Sequence, residues 1–252
     1  MEYTSAELMV VAAAREIRDR ELVFVGMRLP LLAFLLAKEV HAKEAVSLFE
    51  NGIIRDRPSR EGLYTVSDPA NVLAALNCTD MLTIMSLLQS GLVDLGFIGG
   101  AQIDRFGNLN TSYIKTPGGG LVRLPGSGGA GDIACLAKRL LVIMPHEKRR
   151  FVKRVDYVTS PGYGTGPGWR QEQGLVRGGP AVVITSKGII KFDPDTREAY
   201  LHSYHPGVDL DDIQENTGWD LTVPTEVSMT EPPRPEELAV VRRYDPQGFW
   251  TG

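Results

Sequence analysis

An apolar run, Ala45-Val46-Ser47-Leu48-Phe49, ends in a carboxylate and a turn pair, Glu50-Asn51-Gly52. Such a run reads as a short buried strand, and open α/β sheets collect their chemistry just beyond the carboxyl ends of strands. A carboxylate there can be a general acid, a metal ligand or a nucleophile, or it can simply face water. Each role needs different company. A metal would need further carboxylates or histidines, and the strand ends offer only Asp104. Glycoside chemistry would pair Glu50 with Asp104, at a separation the sequence does not encode. A nucleophile would need an activated acyl group, donors for the oxyanion and exclusion of water.

Candidate donors occur further along. Glycines recur at Gly118-Gly119-Gly120 and again in Gly126-Ser127-Gly128-Gly129-Ala130-Gly131, ahead of a helix expected over residues 132–139. A glycine loop feeding a helix presents backbone N–H groups to an anion or oxyanion. This one lacks the Lys-Ser/Thr ending of a P-loop and the spacing of a dinucleotide fingerprint. Asn108 and Asn110, in a turn over residues 102–110, could supply side-chain donors, or could merely form the turn. Arg55, Arg57 and Arg60 follow Glu50 in a polar loop suited equally to water or to an anionic ligand. His146 has no ligand partner in the sequence and is given no role in the chemistry. The residues thus permit acyl transfer through Glu50 without requiring it.

The elements that must position these groups follow from periodicity and punctuation. Thr4 and Glu7 form a capping-box pattern ahead of a helix over residues 5–19. Residues 22–25 read as a strand, and Pro30 as the first position of a helix ending near Ala42. With the strand at 45–49 this makes a parallel βαβ unit. Asp68-Pro69 opens a short helix, and Thr79 or Asp80 caps another that ends near Gly91. A strand at 93–98 breaks at Gly99-Gly100, and another spans 140–144. Residues 152–159 read as extended, and 162–179 as a mobile surface loop. A hairpin at 181–185 and 189–192, a strand at 198–204, a helix at 209–216, a strand-like run at 222–227 and a helix at 236–243 complete the chain. The fold class is α/β, with a β-rich C-terminal portion, and the 252 residues are expected to form a single domain.

Composition excludes several classes. A formal charge of -4 leaves no basic footprint for nucleic acid. The longest apolar stretch, residues 29–37, is too short for a membrane span. Residues 1–20 have no signal-peptide core. Cys78 and Cys135 fit neither a metal spacing nor a disulfide framework, so a cytoplasmic location is expected.

Seven ordered stretches carry a resemblance: Phe49-Glu50-Asn51-Gly52, Phe97-Ile98-Gly99-Gly100-Ala101-Gln102-Ile103-Asp104, Gly107-Asn108-Leu109-Asn110, Gly126-Ser127-Gly128-Gly129-Ala130, His146-Glu147-Lys148-Arg149-Arg150-Phe151, Tyr157-Val158-Thr159-Ser160-Pro161-Gly162 and Asn216-Thr217-Gly218. With them the chain resembles the B subunit of class I coenzyme A transferases, most like the glutaconate type. The resemblance implies an open, mostly parallel sheet with helices on both faces, the CoA-transferase or NagB-RpiA-like fold. It implies that Glu50 attacks an acyl-CoA and comes to carry coenzyme A as a glutamyl thioester. Coenzyme A would then be substrate, with no permanent cofactor and no metal, and an A subunit would complete the enzyme.

By the same resemblance Asn108, ahead of Asn110, polarises the thioester carbonyl. Gly126, Ser127, Gly128 and Gly129, with Gly99 and Gly100, hold the oxyanion or CoA, while Asn51, Gln102 and Asn110 lie toward substrate. The first βα turn departs from relatives, which often carry small residues after the glycine. Here it reads Gly26-Met27-Arg28-Leu29-Pro30, and Arg28 is expected to face a partner subunit rather than a substrate carboxylate. Two alternatives stand beside transfer. One is acyl-CoA hydrolysis or decarboxylation on the same fold, which Glu50 disfavours; the other is non-catalytic ligand sensing.

Overall fold

The structure, a computed structural model, describes residues 2–59, 62–116, 118–175 and 177–252. They fall into two compact units, the first running to Phe97 and including Pro232–Gly252, the second Ile98–Glu231.

The first unit begins with α1 (Ser5–Arg15), closed at its start by the capping box: Thr4 Oγ1 accepts from Glu7 N at 3.1 Å, and Thr4 N donates to the Glu7 carboxylate at 2.9 Å. Strand β1 (Leu22–Phe24), helix α2 (Leu29–Val40) and strand β2 (Val46–Leu48) form the expected unit, with β1 and β2 parallel in the register Leu22↔Val46. Helix α2 is apolar nearly all round and buried from Pro30 to Lys38, as a helix covered on every side must be. Lys38 donates its Nζ to the carbonyls of Lys43 and Ala45, which fixes the chain just before β2.

After β2 the chain reverses. Strand β3 (Ile53–Arg55) pairs antiparallel to β2, and after α3 (Pro69–Val72) the short β4 (Asn77–Cys78) pairs antiparallel to β3. The sequence suggested a polar loop here. Arg55 corrects that expectation: it is 2% exposed and gives its guanidinium to the carbonyls of Arg57, Pro58, Asn71 and Leu73. A planar fork of five donors suits a bend with many orphan carbonyls. Arg57 pairs with Asp56 at the surface, and Arg60 lies outside the described residues. Helix α4 (Met81–Gln89), capped by Asp80, leads to β5 (Leu95–Ile98), parallel to β1. Strand order in this unit is β5-β1-β2-β3-β4.

The second unit opens with two hairpins, β6 (Gln102–Ile103) with β7 (Leu109–Asn110), and β8 (Tyr113–Lys115) with β9 (Leu121–Arg123). Then come α5 (Ala130–Leu136), β10 (Arg139–Met144), α6 (Trp169–Glu172), β11 (Pro180–Thr185), β12 (Gly188–Phe192), β13 (Ala199–Tyr204), α7 (Leu210–Glu215) and β14 (Ser228–Met229). Strand order is β10-β11-β12-β13-β14, parallel at β10–β11 and β13–β14 and antiparallel between.

Three expectations change here. Residues 152–159 form no strand; bridges to Ile103 and Leu109 flank them at Phe151 and Ser160. Of residues 222–227 only Thr222 bridges, to Tyr200, and Pro224 has no N–H for a ladder. The segment 162–179, expected as a loop throughout, contains α6, and two of its carbonyls are tied to a buried arginine. Arg170, 8% exposed, donates to the carbonyls of Ala134, Cys135, Pro161, Gly162 and Arg177.

Helix α8 (Pro235–Tyr244) belongs to the first unit and packs on α1 and α2. Arg242 pairs with Glu7, Arg15 pairs with Glu237, and Thr4 Oγ1 donates to Thr251 O at 2.6 Å.

Candidate active site

Glu50 occupies the second position of a tight turn between β2 and β3. Gly52 N donates to Phe49 O at 3.0 Å and Phe49 N to Ile53 O at 2.9 Å. Gly52 has φ +102°, the left-handed backbone that a three-residue hairpin loop requires. A Cβ there would fall 2.3 Å from Thr79 O, so this glycine is demanded twice over. Thr79 N donates to Gly52 O at 2.9 Å, and Asn51 Nδ2 donates to Val66 O at 2.8 Å. The turn is therefore held from three sides while the Glu50 carboxylate, half-buried, has no hydrogen-bond or ionic partner among the described residues. The Asn51 side chain also accepts from Ile53 N at 3.4 Å through its Oδ1, so its amide serves the turn.

Arg28 caps the start of α2 with φ +70°, exposed, its guanidinium 5.4 Å from the centre of the Trp250 ring. A stacked guanidinium of this kind has a partner on its own chain.

The amides of the second unit are busy. Asn108, 3% exposed, gives its Nδ2 to both oxygens of Asp104 at 3.1 Å and to Gly164 O at 2.8 Å. Its Oδ1 accepts from Gly162 N at 3.0 Å and Gly164 N at 3.1 Å. Burial pushes the Asp104 carboxyl above the usual range, against the pull of the Asn108 donors. Asn110 gives Nδ2 to Gln102 Oε1 and to Tyr113 O, both at 2.7 Å, and accepts from Ser112 N. Gln102 completes the chain by donating to Asp156 at 3.0 Å. The structure brings Gln102 and Asn110 together, and Asp104 with Asn108. Each carboxamide's two N–H groups already have acceptors, so in this arrangement neither Asn108 nor Asn110 has a donor left over for a substrate carbonyl. A cleft of about 750 Å³ is lined by Asp104, Asn108, Val155 and Trp169 among others, and Asn108 serves it as wall.

The loop before α5 has the opposite character. Gly126 and Gly128 have φ +99° and +48°, and a Cβ on either would meet nothing within 4 Å. Only glycine takes such backbone readily, yet no packing among the described residues asks for it. Ser127, exposed, uses its carbonyl to accept from Ala130 N at 2.9 Å. Gly129 is the N-cap of α5, which starts two residues before the expected Asp132. Gly99 is exposed, its Cβ position 3.6 Å from Ile143 O; at Gly100 a Cβ would lie 2.8 Å from Leu109 Cδ2. Gly100 is thus explained by packing.

Sequence reasoning missed the two buried arginines, Arg55 and Arg170. The available signal was an arginine inside a segment dense in Gly, Pro and turn residues, where many carbonyls lack partners. Among the described residues no helix is long and apolar enough to cross a membrane, and no three His, Cys, Asp or Glu side chains group as a metal site.

A family model described as coenzyme A transferase matches residues 6–216. The chain belongs to the coenzyme A transferase family. It is 37% identical over 246 residues to the B subunit of the 3-oxoadipate CoA-transferase of Pseudomonas knackmussii, covering 96% of this chain and 94% of that one. It is 38% identical over 247 residues to the B subunit of the glutaconate CoA-transferase of Acidaminococcus fermentans, covering 95% and 91%. The crystal structure of glutaconate coenzyme A-transferase from Acidaminococcus fermentans superposes with a TM-score of 0.91 at 34% identity, over 100% of this chain and 99% of that one. The α/β fold implied by the resemblance is therefore the fold of this CoA-transferase chain.

Proposed function

We propose that this chain is the B subunit of a two-subunit enzyme that moves coenzyme A between small carboxylic or dicarboxylic acids, with Glu50 as the covalent carrier. The observation that carries the proposal is the Glu50 turn: a half-buried carboxylate without a partner among the described residues, on a turn locked by Gly52, Asn51 and Thr79.

In the proposed cycle a Glu50 oxygen attacks the thioester carbon, the C–S bond breaks and the CoA thiolate leaves. The thiolate then attacks the glutamyl carbon of the mixed anhydride and expels the donor acid as its carboxylate. The acceptor carboxylate attacks the glutamyl-CoA thioester, and the same two steps run in reverse. Each step trades one acyl bond for another, and no proton is consumed. Water has to be excluded, because hydrolysis at either intermediate would waste the bond.

The proposal assigns the N–H groups of 126–129 to the oxyanion, supported by a loop in which Gly126 and Gly128 answer to no packing among the described residues. Exposed Gly99 fits a place beside coenzyme A. Asn108, Asn110 and Gln102 act as positioning groups for the loops around them, since their hydrogen bonds are spent inside the unit. The partner is an A subunit, in keeping with the two relatives, each the B subunit of its own enzyme.

The test is to combine the chain with its A subunit, add an acyl-CoA, and weigh the intact protein. A mass gain of one CoA mapping to Glu50 is expected, together with product that forms only when an acceptor acid is present. Free CoA released without acceptor would replace transfer by hydrolysis.

A further inference from the structure

The second unit holds a cavity of about 680 Å³ that the proposed cycle leaves unused, lined in part by Lys138, Tyr163, Arg170, Arg177 and Arg197. Its described lining residues carry four cationic side chains and no carboxylate. Arg170 is the deepest. Its partners are backbone carbonyls, its Nε is buried without an acceptor, and no carboxylate pairs with it among the described residues. Carbonyls satisfy N–H groups but leave the charge uncancelled, and an uncompensated cation inside a protein is costly. An anion in the adjoining cavity would lower that cost.

The rim is built to match. Tyr163 is fixed by donating its hydroxyl to Pro180 O at 3.0 Å. The Arg197 guanidinium stacks over the Tyr163 ring at 5.2 Å, carried by a backbone at φ +60°. A non-glycine residue held in that region is strained, and here the strained residue is the one whose side chain meets the cavity.

We propose that this cavity is an anion site that takes a phosphate or diphosphate group. One carboxylate brings a single negative charge, whereas a phosphate monoester carries about -1.5 to -2 and offers three acceptor oxygens. Arginine forks match phosphate geometry, and the volume falls within the usual range for small-molecule sites, roughly 300–1,000 Å³. The phosphate could belong to the coenzyme A substrate or to a separate phosphorylated small molecule.

Calorimetric titration of the full chain, co-purified with its partner, tests this without relying on activity. The probes are inorganic pyrophosphate, adenosine 3′,5′-bisphosphate and, as carboxylate control, glutarate. At least one phosphate probe should bind, more weakly as salt rises. The Lys138→Ala/Arg197→Ala double variant should lose tenfold or more in affinity, and Arg197→Lys should retain most of it. Failure of both phosphates to bind, or wild-type affinity in a double variant with an unchanged melting temperature, overturns the site. The source is read from Michaelis constants. A KM raised for acyl-CoA but not for the acyl-pantetheine assigns the site to the substrate's own phosphates. Both KM values unchanged, with phosphate binding lost, assigns it to a separate ligand.

Discussion

The side-chain nitrogen of Asn108 lies 3.1 Å from each carboxylate oxygen of Asp104, four residues earlier, while its oxygen receives the N–H groups of Gly162 and Gly164. One amide thus ties the β6–β7 turn to the 162–179 loop. Asn108→Ala would strand two backbone donors, and each buried unsatisfied group costs about 1–3 kcal/mol. Urea denaturation should show a loss of roughly 3 kcal/mol. Asn108→Asp should be worse at neutral pH than at pH 5, since it sets a second carboxylate against one that burial already pushes up. Were Asn108 instead to polarise the substrate, Asn108→Ala would slow turnover and leave the urea midpoint in place.

Glu50→Gln should abolish transfer, by at least about 10³-fold in kcat, the scale on which enzymes lose rate without their nucleophile. Stability should move by no more than about 0.5 kcal/mol, because the carboxylate holds none of the described residues. Acyl-transfer assays and thermal melts on the same preparation check both halves.

Two glycines separate packing from approach. Gly52→Ala meets both a left-handed φ and a clash with the Thr79 carbonyl, so it should cost about 2–4 kcal/mol and displace Glu50. Gly126→Ala meets strain alone, in open space, and should cost about 1–2 kcal/mol while slowing transfer far more than that loss accounts for. Matched melts and assays of the two variants decide; equal activity losses per unit of stability would remove the assignment of the 126–129 loop.

Acid should weaken the fold through His146. Its ring stacks on Phe151 at 3.8 Å, its nitrogens lie 3.0 and 3.3 Å from the hydroxyls of Thr217 and Thr185, and burial holds its pKa down at about 3. Nearby Lys187 and His205 push the same way and Asp212 opposes them. As pH falls below about 6.5 the unfolded chain binds a proton that the native ring refuses, so stability drops, by about 2 kcal/mol at pH 5. His205, also held low by burial, steepens the fall, and Asp104, whose raised pKa favours the native state in acid, blunts it. Chemical denaturation from pH 7.5 to 4.5 should show the slope, and His146→Gln should flatten it.

Much of the framework was legible because local signals agreed. Thr4 and Glu7 marked a helix start, Pro30 another, and the apolar run before Glu50 marked a strand whose end is a turn. Long-range partners were not legible. Ile53–Arg55 looked like loop because its arginine is polar, and the carbonyls of Asn71 and Leu73, further along the chain, join those of Arg57 and Pro58 in satisfying it where it is buried. Asn108 and Asn110 looked like donors for a ligand because a sequence lists capacity, not occupancy. Their acceptors lie in Gly164 and Tyr113 and on Asp104 and Gln102. The segment 162–179 reads as a mobile loop because Gly and Pro dominate it, and no local pattern shows that Arg170 gathers the carbonyls of Gly162 and Arg177 together with those of Ala134, Cys135 and Pro161.

The first unit is written in two pieces, with Ile98–Glu231 lying between them in the chain. During synthesis the second unit leaves the ribosome as one uninterrupted block and can settle at once. The first unit has to wait, with the flanks of α1 and α2 that α8 later covers still wet, until Arg242 arrives for Glu7 and Glu237 for Arg15. The strand that carries Glu50 is therefore made early and secured late, and chaperone demand should concentrate on that interval.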